Sequence, residues 1–132
     1  KLKYGFVHGD LWTANIIKDK IGKLYYIDFC ASNYLPRVID VAISIVDLCL
    51  DVNDLEISKI RIKTFLKAYE AVSKLTKYEK ECLKTFMKIH EASSLLNTIR
   101  EKHEGNNTVS NQETLENSRL KLFILNSVNL IN

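Results

Sequence analysis

His8, Asp10, Asn15 and Asp28 are residues whose types and spacing suit chemistry. Asp10 follows His8 by two positions, Asn15 follows Asp10 by five, and Ile27-Asp28-Phe29 places a second carboxylate thirteen beyond Asn15. Grouped, Asp10, Asn15 and Asp28 put oxygen-bearing side chains around one point. Phosphoryl transfer from magnesium-bound ATP needs such a set, because a carboxylate must orient the acceptor hydroxyl and hard oxygen atoms must hold the metal on the phosphates. Asp10 is the candidate base, taking the hydroxyl proton or simply orienting the hydroxyl for in-line attack. Asn15 and Asp28 are the candidate Mg²⁺ ligands, since that ion keeps several waters and takes one or two protein oxygens beside phosphate oxygens. Each residue also has a plainer reading. Asp10 suits a turn cap, and Asn15 suits the turn entering a strand. Asp28, directly after Leu-Tyr-Tyr-Ile and before Phe, is costly to bury unless a partner or a metal compensates.

These side chains need elements to position them. Phe6-Val7 is a short apolar run that reads as a strand delivering the loop of residues 8–14. Asn15-Ile16-Ile17-Lys18 and Leu24-Tyr25-Tyr26-Ile27 are β-branched and aromatic and flank Asp19–Lys23, which predicts a hairpin with Gly22 at positive φ. Such a hairpin carries Asn15 and Asp28 at the same end. Residues 30–36 read as irregular, with Pro36 suited to a helix's first turn. The run from Val38 to Leu50 has helical spacing at Val41, Ala42, Ile45, Leu48 and Cys49. Asn53 with Glu56 looks like a capping pair for a helix to about Ser73, with Ile57, Ile60, Phe65, Leu66 and Tyr69 inward. Thr76-Lys77-Tyr78-Glu79 and Ser110-Asn111-Gln112-Glu113 have the capping-box form. The first opens a long helix to about Lys102 with Leu83, Phe86, Met87 and His90 on one face. The second opens a helix to about Leu130 built on Leu115, Leu122, Phe123 and Leu125, with residues 103–109 as the connecting loop. The fold class expected is α+β, predominantly α: a hairpin-bearing edge followed by a helical body.

The chain of 132 residues fits a single domain and is 46% hydrophobic and 27% charged, ordinary globular proportions. Its net charge of +3 is spread out, with no basic run interleaved with aromatics, which argues against a nucleic-acid partner. No apolar stretch reaches the roughly 18 residues that a membrane span needs, and no signal peptide is visible. Cys30, Cys49 and Cys82 are odd in number and widely spaced, which fits a reducing cytoplasm better than a disulfide framework. Trp12 suits stacking on an acceptor or adenine as well as plain packing in the loop. Asp47, Asp51, His90 and Glu91 read as exposed helix charges with one satisfied histidine rather than as an acceptor pocket, and Met87 as core.

His-Gly-Asp-x-x-x-x-Asn, then Ile-Asp-Phe, then Ile39-Asp40-Val41-Ala42, all in register over the first third of the chain, resembles the aminoglycoside phosphotransferase / choline kinase-like family of small-molecule kinases. The resemblance implies a protein-kinase-like C-terminal lobe, with Mg²⁺ and ATP as cofactors and a small hydroxylated molecule as acceptor. It implies that His8 is a loop scaffold and that Asp40, twelve residues after Asp28, holds the catalytic loop through its amides. Cys30 stands where a protein kinase has the glycine of Asp-Phe-Gly, and Trp12 where it commonly has a lysine, which argues against a protein kinase. Leu11-Trp12 resembles ketosamine kinases, whereas Pro36 and the Asp40–Asp47 run resemble homoserine kinase-like members. Family members carry an N-terminal lobe with a phosphate-covering loop and a strand lysine. The chain starts on Lys1 and supplies neither, so it is expected to be the C-terminal lobe of a longer kinase, with that lobe as its partner, and to be inactive alone. The competing expectation is a non-catalytic kinase-like helical module for protein contact.

Overall fold

The loop and hairpin form one edge of the molecule and the helices form the other. The computed structural model describes residues 1–105 and 109–131. Strand β2 (Ile16–Lys18) pairs antiparallel with β3 (Leu24–Tyr26), with Ile16 opposite Tyr26 and Lys18 opposite Leu24. The turn between them is built by Asp19, whose Oδ1 accepts from the amides of Ile21 and Lys23, and by Gly22 at φ 87°. Positive φ is nearly cost-free for glycine, so this turn and register follow from the sequence.

A second two-stranded ladder joins β1 (Tyr4–Val7) to β4 (Asn33–Pro36), in register from Tyr4 opposite Pro36 to Val7 opposite Asn33. The expectation of an irregular segment over residues 30–36 is therefore corrected. Pro36 ends the strand, a position that loses no ladder hydrogen bond. The two ladders close a ring of chain around the loop, with a single helical turn at Phe29–Ala31 linking β3 to β4.

Helix α1 (Val38–Ser44) continues into a π-helical turn over Ile45–Cys49. Val38, Val41, Ala42, Ile43, Ser44, Ile45 and Val46 are all buried, so this segment is the central rod of the core. Helix α2 (Leu55–Val72) starts on Asp54, whose carboxylate accepts from the Ile57 amide. The expected cap at Asn53 is thus displaced by one residue. Ile62 rather than Ile60 reaches the core, Ile60 being 60% exposed. Helix α3 (Lys77–His103) has the expected capping box: Thr76 Oγ1 accepts from the Glu79 amide and Glu79 Oε2 from the Thr76 amide. Leu83 and Met87 are fully buried against α1. Burying such a side chain is worth about 1.5–3 kcal/mol, several times any helix-propensity difference, so packing decides where α3 lies.

Helix α4 (Val109–Ser127) packs along α3 through Ser118, Ile124 and Leu125. Phe123, expected inward, is 68% exposed. Residues 106–108 of the expected connecting loop and the Ser110 side chain of the second capping box lie outside the described residues.

One ion pair ties the halves together. The Arg37 guanidinium, just ahead of α1, donates from Nε to Glu79 Oε1 at 2.9 Å and from Nη2 to Glu79 Oε2 at 3.0 Å. It also meets Ser73 Oγ and the Lys74 carbonyl between α2 and α3. The Lys3 amide donates to the same carboxylate at 3.3 Å. The Arg37 hydrogen bond, working against burial, holds the Glu79 carboxyl down at about 2. Surface pairs such as Lys59–Glu56 contribute little by comparison. The observed fold is α+β and mainly helical, and no described helix is long and apolar enough to cross a membrane.

Candidate active site

The loop of residues 8–15 is held through two backbone amides and through the side chains of His8 and Asn15. Asp40, in the first turn of α1, accepts from the amides of His8 at 2.7 Å and Gly9 at 2.8 Å, one carboxylate oxygen each. His8 is buried, with Nδ1 facing the Asp10 amide at 3.3 Å and Nε2 at 2.9 Å from the Ile27 carbonyl. The first contact needs an acceptor and the second a donor, so the ring is a neutral imidazole carrying its hydrogen on Nε2. Its face lies 4.6 Å from the Phe29 ring. One side chain thus links the loop to the chain beside Asp28.

Gly9 is required by its surroundings. Its φ is +79°, and a Cβ there would sit 2.6 Å from the Ala31 carbonyl oxygen. That oxygen, and the carbonyl carbon behind it at 3.2 Å, are backbone and cannot swing away. Gly9→Ala is expected to cost about 1–3 kcal/mol, read as a lower urea midpoint, and unchanged stability would contradict this placement of the loop.

Asn15 is buried and fixed by two donations from Nδ2, to the Asp10 carbonyl at 2.8 Å and to Asp10 Oδ2 at 2.9 Å. Asp10 is therefore oriented by Asn15, while Oδ1 of Asn15 is the atom suited to a cation. Across the hairpin the Ile27 amide donates to the Asn15 carbonyl at 3.0 Å, which sets Asp28 next to the end of that ladder. Asp28 adopts φ 60° and is a positive-φ non-glycine residue, a conformation that aspartate tolerates better than most. Its carboxylate accepts from the Cys30 amide at a long 3.4 Å.

The burial argument for Asp28 does not hold. Asp28 is exposed, as are Leu24, Tyr25, Tyr26, Ile27 and Phe29, because nothing among the described residues covers that face of the hairpin. The geometry thus leaves an exposed carboxylate and an amide oxygen near one hairpin end. No group of three or more His, Cys, Asp or Glu among the described residues forms a cage for a metal. Two hard oxygen donors still fit Mg²⁺ carried on a nucleotide, because that ion completes its shell with water and phosphate oxygens.

A polar cavity of about 640 Å³ opens beside the loop, with Gly9, Asp10 and Trp12 on one wall and residues of α3 and α4 on the other. Asp47 sits on the π-helical turn and accepts from His90 Nε2 at 2.9 Å and from Lys121 Nζ at 3.3 Å. Burial pushes the Asp47 carboxyl up, but His90 and Lys121 outweigh it and leave the group below the ordinary aspartate value. Glu91 is 2% exposed and lies 3.7 Å from the Lys121 ammonium. The expectation of exposed helix charges is corrected for Asp47 and Glu91, which line the cavity with Asp10, whereas His90 is the expected satisfied histidine, bonded to Asp47. Asp51 is likewise no exposed helix charge: it lies half-buried between the π-helical turn and α2, caps a turn and pairs with Arg61 at 3.6 Å, away from the cavity. Lys121 was legible only as one charge among many. The usable signal was Asp47 itself, a lone carboxylate in a segment apolar nearly all round.

No family model matches the chain. A homoserine kinase from Methylobacillus flagellatus is 33% identical over 81 residues, which is 60% of this chain and 24% of that protein. The relative is a kinase. The chain spans about a quarter of its length, so the likeness points to a small-molecule kinase without extending to the rest of that enzyme.

Proposed function

We propose that the chain is the catalytic and acceptor-binding lobe of an ATP-dependent small-molecule kinase, transferring the γ-phosphoryl group to a hydroxyl of an aminoglycoside, choline, homoserine or sugar-like acceptor. The observation that carries this reading is the Asp10 carboxylate, held by Asn15 at the mouth of a polar cavity. Asp10 takes the acceptor proton as the hydroxyl oxygen bonds to the γ-phosphorus and the bond to the bridging oxygen breaks, leaving ADP. Asn15 Oδ1 and the Asp28 carboxylate are the atoms to hold Mg²⁺ on the phosphates, where it neutralises charge that develops during transfer. Asp40 and His8 keep the loop backbone fixed, so that Asp10 needs no reorganisation at the moment of reaction. An N-terminal lobe covering the phosphates belongs to this proposal, and the uncovered aromatic faces of the strands, with Phe6 83% and Tyr34 62% exposed, are the surface it would meet.

The test is nucleotide binding by the full-length protein. Mg²⁺-dependent ATP binding is expected to fall at least tenfold in Asp28→Asn, with melting temperature nearly unchanged because Asp28 is exposed and asparagine tolerates its positive φ as aspartate does. If ATP binds neither variant nor parent, the non-catalytic kinase-like interaction module takes its place.

A further inference from the structure

A second cavity, of about 850 Å³, opens between α2, the start of α3 and the residues that follow α4. It shares no lining residue with the polar cavity beside Asp10. Its floor is aliphatic: Ile62, Leu66, Leu75, Leu83, Leu130 and Ile131. Ile62, Leu75, Leu83 and Leu130 are all buried, so the floor is recessed and does not project. The rim is basic. Lys59, Lys63 and Lys67 recur every four residues along α2, Lys80 adds a fourth ammonium from α3, and Glu70 is the one carboxylate among the described lining residues. Lys59 is paired with Glu56 at 2.6 Å and Lys80 with Glu70 at 2.7 Å. Lys63 and Lys67, both exposed, have no ion pair among the described residues. Like charges four residues apart on a helix repel, so these two ammoniums cost α2 stability until a counter-charge reaches them.

That composition selects a ligand class. Among the described lining residues there is no aromatic ring for a planar base to stack on, and Asn129 is the one neutral polar side chain, too little to read a sugar's hydroxyls. An aliphatic floor suits an alkyl chain, because each methylene taken out of water there is favourable. The volume lies within the roughly 300–1,000 Å³ of small-molecule sites. A membrane surface would meet apolar side chains that protrude, whereas here the lysines are exposed and the apolar floor is recessed. We propose that this cavity binds a single-chain aliphatic carboxylate, a fatty-acid anion, with its alkyl chain on Ile62, Leu66 and Leu83 and its carboxylate between Lys63 and Lys67. Lysine is a point charge without arginine's planar fork, so the head is held by charge and the chain by buried area. The site goes beyond the phosphotransferase reading and does not depend on it.

The experiment is calorimetric titration of the full-length protein, without nucleotide, with probes kept below their micelle-forming concentrations. Dodecanoate is the ligand probe, octanoate shortens the chain, and dodecyltrimethylammonium keeps the chain and inverts the charge. Dodecanoate is expected to saturate a single site and to bind about tenfold or more tightly than either of the others. Lys63→Gln with Lys67→Gln should weaken dodecanoate by a similar factor. Removing the same charge from the hairpin, in Lys20→Gln with Lys23→Gln, should leave its affinity unchanged. All four lysines are exposed, so both double variants should fold, and the parent's own ranking of the probes decides the matter if one does not. Comparable binding of dodecyltrimethylammonium, equal losses in the two double variants, or no saturable binding of dodecanoate overturns the proposal. Co-sedimentation with anionic phospholipid vesicles in the absence of dodecanoate binding would overturn it in favour of a membrane surface.

Discussion

Glu79→Ala is expected to destabilise the fold by about 3–5 kcal/mol, a large share of a typical domain's stability. The Glu79 side chain is fully buried, and its carboxylate serves Arg37, the Thr76 amide and the Lys3 amide together. Truncation removes half of the α3 capping box and leaves the Arg37 guanidinium, 17% exposed, without its counter-charge. The loss should fall toward the lower end of the range, because Arg37 keeps Ser73 and the Lys74 carbonyl. Urea unfolding followed by circular dichroism measures it, and a loss under about 1 kcal/mol would mean that the pair contributes no more than a surface one. The same pair predicts an acid dependence. Its carboxyl is held at about 2 against an ordinary 4.5, so its stabilisation is complete above pH 4.5 and is lost as pH falls toward 2. The shift corresponds to a contribution on the order of 3 kcal/mol, seen through protonation instead of truncation. In Glu79→Gln that part of the acid profile should flatten.

Asp10→Asn in the full-length protein is expected to lower kcat by about 10²–10⁴-fold, the usual range for loss of a general base, with little change in melting temperature. The contrast follows from the contacts. The Asp10 side chain accepts from Asn15 Nδ2, and an asparagine carbonyl oxygen can accept that hydrogen bond as well as a carboxylate does. What the substitution removes is the capacity to take a proton. Steady-state rates with saturating Mg·ATP, alongside a thermal melt, separate the two effects. Turnover near that of the parent would sink the role given to Asp10.

What could be read from the sequence was local. Gly22 with its flanking β-branched residues specified a turn, and the Thr76–Glu79 box specified a helix start, because the partners in each lie within a few residues. The grouping of Asp10 with Asn15 was legible for the same reason. Misread features depended on distant partners. Strand β4 exists because β1 lies beside it, and its own residues, ending on a proline, carry no alternation strong enough to announce it. Ile60 and Phe123 have helical spacing but face water, because α2 and α4 each present only a narrow stripe to the core. Glu91 and Asp47 became cavity residues through a lysine 74 positions from Asp47, which no periodicity reports. The Asp54 cap was missed because its neighbour Asn53 is an equally good capping type, and only the extended backbone at Asp54 distinguishes them.

The bonds from Asp40 to the His8 and Gly9 amides give the loop a clock as well as a shape. Backbone hydrogens in an open loop normally trade with solvent deuterium in moments, whereas these two are sequestered by a carboxylate that rides on the central rod. Their exchange must wait for the carboxylate to withdraw, and it withdraws when the first turn of α1 frays. The candidate catalytic stretch therefore inherits the lifetime of the helix start, and a mutation that loosens α1 would be felt at Asp10 without touching it.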